Sequence, residues 1–570
     1  MKPKWTNKKQ GDAATVEQLS KELNINQTLS RLLVQRGITT FEEARKFFRP
    51  ELNDLHDPFL MKDMDIAVGR LRQAIQNKEA ILVYGDYDVD GTTSVAMVYS
   101  FLSHLHEPLD YYIPDRYTEG YGISRQGIDY AIDHNVSLII ALDCGIKALE
   151  QTSYAKSHGI DLIICDHHLP GETLPEAIAI LDPKRPDCGY PYKELSGCGI
   201  GFKLLQAYTQ NTEMPLELLE GHLDFVAISI ACDIVPLTDE NRILAFFGLQ
   251  KLNSAPRQGI KALLDIAEAS YTLTIQDLVF VIGPRINAAG RIEHGKKAVE
   301  LLISTDHSGA DIQSQAIDAN NSHRKGIDKD ITQHAIDMME ANSSKDEQKS
   351  IVLYHESWHK GVVGIVASRL IERYYKPTIL LTITDGKATG SARSVRGFSV
   401  YKALLACDDL LEQYGGHKYA AGLTLKVENL PAFQKKFEEV VAATIQPESL
   451  FPQIDVDSEL HLDEITPKFF RILKQLAPFG PGNPNPTFVS KRVVDAGDSR
   501  AVGESKYHLK LDVTPSDRTV RISGIGFGMG DYATAIKTGN AFDIAYSIEE
   551  NEWKGNRTLQ LKVKDLHMEH

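Results

Sequence analysis

Three short apolar runs in the first third of the chain each lead directly into acidic residues. Residues 81–84 precede the loop Gly-Asp-Tyr-Asp-Val-Asp-Gly, residues 138–142 precede Asp143, and residues 162–165 precede Asp166-His167-His168. Apolar, β-branched runs that alternate with helical stretches predict buried parallel strands. Groups that follow such strands gather outside the carboxyl edge of one sheet. We therefore expect the acids of these three segments to converge on one site.

The loop after the first run carries three acids, Asp86, Asp88 and Asp90. Asp-x-Asp-x-Asp-Gly also opens a calcium loop of the EF-hand type, which needs a glutamate at its twelfth position and a helix in front. Met97 stands at that position and a predicted strand precedes the loop, which argues against an EF-hand.

The strand-end acids predict a metal centre, together with His167 and with Asp233 after the apolar run at residues 225–231. Carboxylates crowded into one site repel each other, and divalent cations are a usual means of keeping several of them ionised. Taken singly, Asp143 also fits a strand-end cap, the two histidines also fit structural positions, and Asp233 also fits a helix terminus. Oxygen ligands favour Mg²⁺ or Mn²⁺, and an imidazole shifts the preference towards Mn²⁺.

The ordered set Gly-Asp-x-Asp-x-Asp-Gly, Leu-Asp-Cys-Gly and Asp-His-His resembles the DHH phosphoesterase superfamily. Residues 114–122, 283–291 and 415–422 resemble segments of its RecJ-type branch, the single-strand DNA exonucleases. The similarity extends over nearly the whole chain. It implies an α/β fold class, in which a parallel-sheet DHH catalytic domain is linked by a long helix to an α/β DHHA1 domain, followed by a β-barrel (OB-like) domain.

The expected domain boundaries follow from the composition along the chain together with that resemblance. Residues 308–345 are polar, with Ala, Ile and Met at helical spacing, which predicts the long helix. Short β-rich runs after residue 455 predict a barrel of the oligonucleotide-binding type, with a non-binding β-sandwich as the alternative. The expected domains are a helical N-terminal segment (1–50), the DHH catalytic domain (51–305), the connecting helix (306–346), the DHHA1 domain (347–450) and the OB-like nucleic-acid-binding domain (451–570).

The resemblance implies a two-metal-dependent 5′→3′ exonuclease that hydrolyses single-stranded DNA to mononucleotides in DNA repair and recombination. Strand direction and the preference for DNA rest on the resemblance alone. The implied cofactors are two Mn²⁺ or Mg²⁺ ions, bridged by Asp143. His168 is expected to contact the scissile phosphate, and Asp166 to orient a histidine. The implied metal ligands are Asp86, Asp88, Asp90, Asp143, His167 and Asp233, and the implied catalytic residues are Asp88, Asp90, Asp143, His167, His168 and Asp233.

A further set of residues is expected to bind the DNA strand. Arginines in Gly- and Asn-rich loops beside the predicted metal centre suit phosphate contacts, although a single Arg is equally typical of a solvated surface. A Gly-flanked helix start near residues 361–364 suits an anion, and the resemblance implies that residues 390–394 and 415–417 hold the 5′ end and its phosphate. The predicted substrate-binding residues are Arg116, His168, Arg285, Asn287, Arg291, Ser391, Arg393, Gly416 and His417.

The net charge of −15 argues against a nucleic-acid partner, because phosphate binding depends mainly on Lys and Arg. However, part of this charge belongs to the predicted metal centre, and a narrow basic groove can exist on an acidic protein. The six cysteines form no Cys-x-x-Cys pair, so neither a zinc site nor a disulfide framework is indicated. No apolar stretch is long enough for a membrane helix and no apolar signal core is present, which predicts a cytoplasmic location.

Two other functions compete with the exonuclease. A DHH phosphodiesterase for short oligonucleotides or signalling nucleotides is disfavoured by the chain length. A non-catalytic DNA-binding scaffold on the same fold is disfavoured because the set of ligands is complete. The expected partners are single-stranded DNA, a single-strand-binding protein and a helicase, without a membrane, and the protein is expected to be a monomer.

Overall fold

The computed structural model describes residues 2–269, 271–342, 346–553 and 556–568. The chain forms two compact units, one of residues 7–318 with 455–568 and one of residues 319–454 with the residues before Asn7. Within the described ranges, no helix combines the length and the apolar character that a membrane span requires. The six cysteines are free, and five of them are buried.

The N-terminal region contains a short strand followed by three helices. These are β1 (Lys4–Asn7), α1 (Ala13–Leu23), α2 (Gln27–Val34) and α3 (Phe41–Phe48). Thr40 and Glu43 form a capping box that fixes the start of α3. The sequence pattern predicts only helices in this region, so β1, which pairs with Gln453–Val456, was not expected. The residues of β1 are mostly exposed and polar and therefore lack the apolar alternation of a strand.

The region after it is built on a parallel five-stranded sheet. Its elements are α4 (Met64–Asn77), β2 (Ala80–Gly85), α5 (Val89–Leu102), β3 (Leu109–Tyr112), α6 (Arg125–Asp133), β4 (Val136–Leu142), α7 (Leu149–Ser157), β5 (Asp161–Cys165) and β6 (Ala179–Leu181). The strand order is β3-β2-β4-β5-β6, and every pairing is parallel. The central strands are buried on both faces, which explains their continuous apolar sequence.

A group of helices follows the sheet and completes the same core. They are α8 (Gly197–Asn211), α9 (Glu217–Glu220), α10 (Leu223–Cys232), α11 (Asp239–Ser254), α12 (Gln258–Ile266), α13 (Ile275–Asp277), α14 (Gly283–Ile292) and α15 (Lys296–Leu302). A π-helical turn, Leu278–Ile282, leads into α14.

The expectation of a Gly- and Asn-rich loop around Arg285, Asn287 and Arg291 is wrong, because these residues lie on α14. The glycines there serve close packing rather than a turn. A Cβ at Gly283 would lie 2.6 Å from Cys232 Sγ, and a Cβ at Gly290 would lie 2.6 Å from the carbonyl oxygen of Tyr87.

The predicted long helix is present as α16 (His307–Ala341), which has 35 residues. Its first part contributes Ala310 and Ile317 to the core of the larger unit, and its second part contributes Ile331, Ala335 and Met339 to a core of the smaller one. The remaining elements of the smaller unit are β7 (Ile351–Tyr354), α17 (Val363–Tyr374), β8 (Thr378–Thr384), β9 (Lys387–Arg393), α18 (Val400–Leu405), β10 (Gln413–Gly416), β11 (Ala420–Lys426) and α19 (Leu430–Thr444). Their sheet has the order β10-β11-β9-β8-β7.

The C-terminal region forms a closed β-barrel, as expected. Its elements are β12 (Gln453–Val456), β13 (Ser458–Glu459), α20 (Pro467–Lys474), β14 (Phe488–Asp495), β15 (Arg500–Val502), β16 (His508–Thr514), β17 (Ile522–Gly526), α21 (Tyr532–Ile536), β18 (Phe542–Trp553) and β19 (Asn556–Met568). The strand order is β13-β14-β18-β19-β17-β16-β15, and an additional β14–β16 pairing closes the barrel. This closure distinguishes the domain from the alternative β-sandwich.

Candidate functional site

The strand-end acids converge at the carboxyl edge of the parallel sheet. Asp86 follows β2, Asp143 follows β4, and Asp166 with His167 follows β5, which are neighbouring strands. His167 Nε2 lies 3.1 Å from Asp143 Oδ1 and 3.8 Å from Asp90 Oδ2. Asp143 has a positive φ of 58°, so its backbone turns sharply where the strand ends. The convergence expected from the sequence is therefore present.

Helix ends hold Asp88 and Asp90 in place. Asp88 caps the start of α5 by accepting a hydrogen bond from the Gly91 amide. The Asp90 carboxylate accepts hydrogen bonds from the Gly197 amide (2.7 Å) and the Cys198 amide (2.9 Å), at the start of α8. The positive end of the α8 dipole therefore faces this carboxylate.

Asp233 reaches the site from α10. It is the residue that ends this helix, and its Oδ2 lies 3.5 Å from His167 Nε2. On the same helix, the Ser229 hydroxyl donates to Asp90 Oδ1 at 2.6 Å. Asp233 thus ends the helix and lies beside His167, and its role as a metal ligand stays a prediction.

Several polar atoms of this group are buried without a hydrogen-bond partner among the described residues. They are Asp86 Oδ1, Asp143 Oδ1 and both ring nitrogens of His167. His167 Nε2 and Asp143 Oδ1 are 3.1 Å apart but lack hydrogen-bonding geometry. Unpaired buried polar atoms are unfavourable, and the close approach of Asp143 Oδ1 and His167 Nε2 is typical of ligands around a cation.

The donor set fits Mn²⁺ or Mg²⁺. There are two candidate groups of ligand atoms, and the atoms within each group lie within 4.8 Å of one another. One group comes from Asp143, His167 and His168, and the other from Asp90, His167 and Asp233. Carboxylate oxygens with one or two imidazole nitrogens match the preferences of these cations. His168, which the sequence assigns to phosphate, lies within one of the two groups.

Burial and mutual repulsion shift the ionisation of the acidic group. Burial raises the pKa of Asp86, Asp88, Asp143 and Asp233 above its ordinary value, and neighbouring carboxylates raise it further. Burial also lowers the pKa of His167 to about 4, so its imidazole is neutral near pH 7. A neutral imidazole is the form of histidine that binds a cation, and a cation bound beside the carboxyls would lower their raised pKa.

Asp166 and His168 form a separate hydrogen-bonded pair beside this group. Asp166 Oδ1 lies 2.7 Å from His168 Nδ1, and Asp166 Oδ2 accepts from the Ile146 amide. Burial alone would raise the pKa of Asp166, but these hydrogen bonds and the His168 charge outweigh it and lower that pKa to about 2. Burial opposes protonation of His168, but the hydrogen bond to Asp166 and the charges of nearby aspartates together raise its pKa above the ordinary value.

Tyr121 also contacts this pair, and the sequence interpretation missed it. Its hydroxyl donates to the carbonyl of Asp143 at 3.0 Å, and its ring stands edge-on to His168 with ring centroids 5.8 Å apart. The side chain is nevertheless more than half exposed. Its only signal in the sequence is its position within residues 114–122.

The predicted DNA-contacting residues of the larger unit lie in two places. The Arg116 guanidinium lies 4.8 Å from the ring centre of Tyr87, within the acidic loop, and the Tyr117 hydroxyl donates to the carbonyl of Arg291. Asn287 is half-buried on α14, one helical turn before Arg291. Arg285 instead forms an ion pair with Asp318 at 2.8 Å, which ties it to α16.

The predicted residues of the smaller unit cluster on one sheet. Ser391 and Arg393 lie on β9, and Gly416 ends β10, with β11 between them. Gly364, in the first turn of α17, approaches them so closely that a Cβ there would lie 2.9 Å from Arg393 Nη2 and 3.1 Å from Ser391 Oγ. His417 follows Gly416 in the turn to β11. An anion at this helix start would meet both side chains.

The barrel carries an exposed aromatic group that the sequence interpretation also missed. Tyr507 and Phe527 are 63% and 58% exposed, and His508 lies between them with ring centroids 5.3 and 5.2 Å away. Strand register places Arg500, Lys510, Ile525 and Lys562 in one row on the outer face of the same strands. Exposed rings beside cations are typical of surfaces that bind single-stranded nucleic acid.

Comparison with known proteins gives three family matches along the chain. They are the DHH family N-terminal domain at residues 80–230, the DHHA1 domain at 347–443 and the RecJ OB domain at 456–565. The exact domain boundaries remain our prediction.

Whole-chain relatives agree with these matches. The single-stranded-DNA-specific exonuclease RecJ of Bacillus subtilis (strain 168) is 39% identical over 557 residues, which are 97% of this chain and 70% of the relative. RecJ of Escherichia coli (strain K12) is 34% identical over 562 residues, 94% of this chain and 95% of the relative.

A solved structure agrees as well. The crystal structure of RecJ from Thermus thermophilus in complex with Mn²⁺ matches with a TM-score of 0.85 at 27% identity, covering all of this chain and 80% of that one. These matches confirm the fold class and the resemblance deduced from the sequence. The chain belongs to the RecJ family of the DHH phosphoesterases.

Proposed function

We propose that this protein is a metal-dependent exonuclease that degrades single-stranded DNA from the 5′ end and releases mononucleotides, in DNA repair and recombination. The observation that carries the proposal is the convergence of Asp90, Asp143, His167 and Asp233, with buried unpaired atoms on Asp143 and His167. The relatives at 34–39% identity are named as exonucleases specific for single-stranded DNA. Related structures contain Mn²⁺ or Mg²⁺, and Mn²⁺ or Mg²⁺ is accordingly the cofactor.

Six residues are assigned as metal ligands: Asp86, Asp88, Asp90, Asp143, His167 and Asp233. Two divalent cations, when bound, supply the Lewis acidity that activates a water molecule and neutralises charge on the phosphodiester. Asp143 is the assigned bridging ligand because it belongs to the central strand end and faces both Asp90 and Asp233. Gly197 permits this arrangement, since a Cβ there would lie 2.6 Å from the Cβ of Asp143.

His168 is assigned to the scissile phosphate. Its pairing with Asp166 raises the pKa of the imidazole, and a protonated ring would place a positive charge at the edge of the acidic group. A protonated ring donates its Nδ1–H to Asp166, and its second N–H suits a phosphodiester oxygen. Asp166 is the residue that orients it.

Three surfaces of the protein are assigned to binding the single DNA strand. Arg116, Asn287 and Arg291 suit phosphates next to the acidic loop, and Arg285 contributes from the same helix, α14. Ser391, Arg393, Gly416 and His417, with the start of α17, suit a terminal phosphate. The Tyr507–Phe527 group and the cationic row of the barrel suit bases and phosphates of a single strand.

Single-stranded DNA is thus the partner. We also propose that the enzyme acts as a monomer in the cytoplasm, together with a single-strand-binding protein and a helicase that supplies unwound DNA. The monomer is supported by the fact that one chain brings together four of the assigned ligands, Asp90, Asp143, His167 and Asp233. The location is supported by six free cysteines, five of them buried, which suit a reducing compartment.

Digestion of a DNA strand labelled at either end tests the proposal. With Mn²⁺ or Mg²⁺, a 5′ label should appear at once as a mononucleotide, while a 3′-labelled strand shortens gradually. Release of the 3′ label first would contradict the direction. Cleavage confined to di- or trinucleotides would instead indicate a short-oligonucleotide phosphodiesterase.

A further inference from the structure

The segment that carries Asp233 has an unusual backbone. Asp233 ends α10, and the next residue, Ile234, has a φ of 60° although it is β-branched and 64% exposed. Such a conformation is unfavourable for isoleucine and persists only where the surroundings fix the chain on both sides. On one side the Asp233 amide donates to the carbonyl of Ser229 at 2.9 Å. The restraint on the other side lies a few residues later, at Leu237.

Leu237 is held by a turn that belongs to the barrel region. This turn, residues 478–484, has the sequence Pro-Phe-Gly-Pro-Gly-Asn-Pro and is called here the proline–glycine turn. The Leu237 amide donates to the carbonyl of Pro481 at 2.7 Å. Leu237 itself is 1% exposed, so the hydrogen bond is shielded from water.

Two glycines of the turn are required by this contact. A Cβ at Gly480 would lie 2.5 Å from Leu237 Cδ1. A Cβ at Gly482, where φ is 73°, would lie 2.9 Å from Thr238 Cγ2 and 3.3 Å from Pro236 Cβ. The turn therefore lies directly against residues 236–238, and neither glycine leaves room for a methyl group.

The proline–glycine turn is itself firmly anchored. The buried Asn483 side chain donates to the carbonyls of Leu476 and Pro478, both at 2.8 Å, and accepts from Arg36 Nε at 2.7 Å. Arg242 of α11 donates to the carbonyl of Leu476 as well. The turn is thus a rigid surface on which residues 236–238 rest.

We propose that the proline–glycine turn positions Asp233 for metal binding, so that the barrel region helps to build the metal centre as well as to bind DNA. Only Ile234, Val235 and Pro236 separate Asp233 from Leu237, so a shift at Leu237 passes through a short chain to the carboxylate. Gly480 and Gly482 are positioning residues and touch no ligand atom. This proposal rests on the assignment of Asp233 as a metal ligand.

Gly482→Ala in the full-length protein tests it, with Gly539→Ala as the matched control. Gly539 lies in the same region and has a similar φ of 81°, but a Cβ there would meet nothing within 4 Å. Both variants introduce the same backbone strain. Calorimetric titration of the metal-free proteins with Mn²⁺ should show about tenfold weaker binding at one site for Gly482→Ala, as for other supports of metal ligands, and wild-type binding for Gly539→Ala. At saturating Mn²⁺, the KM for single-stranded DNA should stay the same in both.

A second pair of variants separates positioning from general destabilisation. Gly480→Ala should also weaken Mn²⁺ binding, and adding Leu237→Ala should restore it at least partly, because the two nearest atoms to the new methyl are Leu237 side-chain atoms. Loss of thermal stability alone, with Mn²⁺ affinity equal to that of Gly539→Ala, would overturn the positioning role. So would a double variant that binds Mn²⁺ more weakly than Gly480→Ala.

Asp233→Ala distinguishes an error in the ligand assignment of Asp233 from an error in the role of the proline–glycine turn. It should weaken Mn²⁺ binding at least as much as Gly482→Ala does. Wild-type Mn²⁺ affinity in Asp233→Ala would overturn the ligand assignment and this proposal together. Weak binding in Asp233→Ala with normal binding in Gly482→Ala would overturn only the role of the turn.

Discussion

Asp143 belongs to one of the two candidate ligand groups and interacts with two acids of the other, Asp90 and Asp233. It lies at the end of the central strand β4, is almost fully buried, and approaches His167 within 3.1 Å. Asp88, Asp90, Asp166 and Asp233 all act on its ionisation. Removal of its carboxylate should therefore disturb the whole site rather than one edge of it.

Asp143→Ala should reduce hydrolysis of single-stranded DNA to background with either Mn²⁺ or Mg²⁺, because the bridging oxygen atoms are lost. Binding of a labelled strand, measured by fluorescence anisotropy, should remain near that of wild type. Asp133→Ala, which removes an exposed aspartate of the same domain, is the control and should retain full activity. A substantial residual rate in Asp143→Ala would contradict a two-metal site.

Replacement of His167 and replacement of His168 should impair the enzyme in different ways. His167→Ala should weaken Mn²⁺ binding about tenfold or more by calorimetry, since its two ring nitrogens lie unpaired inside the acidic group. His168→Ala should bind Mn²⁺ nearly as wild type does but show a much lower kcat, since its ring pairs with Asp166. Equal losses of Mn²⁺ affinity would show that both histidines are metal ligands. The test is direct, because His167 and His168 both offer a ligand atom in the group that contains Asp143.

At the scale of secondary-structure elements, strand patterns were more informative than glycine content. The parallel strands β2, β4 and β5 follow from continuous apolar runs, because strands buried on both faces exclude polar residues. In α14 the glycine content wrongly predicted a loop. Gly283 and Gly290 allow close contacts with residues distant in sequence and do not form a local turn. Only tertiary packing distinguishes these two uses of glycine.

The same limit explains what was missed at the candidate site. Asp143 and His167 were predictable because strand ends at one sheet edge must lie together, and Asp90 because it follows β2 closely in the sequence, at the start of α5. Tyr121 and the Tyr507–Phe527 group were not, because exposure of an aromatic ring depends on which neighbours happen to cover it. Strand β1 was not predictable either, since its partner lies more than four hundred residues later in the chain.

Arg393, on strand β9, is predicted to bind the terminal phosphate of the DNA. Arg393→Ala removes a charge-assisted contact worth about 1.5–3 kcal/mol, so the KM for a 5′-phosphorylated strand should rise about tenfold or more at moderate salt. Burial lowers the pKa of Arg393, as expected for a guanidinium held for an anion. Lys387→Ala, at the exposed start of the same strand, is the control and should change the KM little. Unchanged kinetics in Arg393→Ala would remove this residue from the DNA site.

At the scale of the whole molecule, stability and metal binding are linked through pH. The folded-state pKa of Asp86, Asp143 and Asp233 lies above the unfolded value of about 4. In the metal-free protein these groups contribute stability that is fully present below the unfolded pKa and is lost as the pH rises through the folded pKa. Mn²⁺ replaces the protons and reverses this loss.

The increase in Tm caused by a fixed Mn²⁺ concentration should therefore be larger at about pH 8 than at about pH 5.5. Differential scanning fluorimetry of the full-length protein with and without Mn²⁺ measures it. Asp143→Ala should show a smaller increase at both pH values. An increase that is equal at both pH values, or larger at the lower one, would contradict the burial of these acids at a cation site.

The most direct measurement is the number of Mn²⁺ ions bound per chain, obtained by equilibrium dialysis or calorimetry of the metal-free protein. Two ions are expected for wild type near pH 7.5, with activity on single-stranded DNA rising as the second site fills. Asp143→Ala should bind fewer than two ions and remain inactive. A wild-type protein that cleaves DNA at full rate with one ion per chain, or with none, would contradict the two-metal centre.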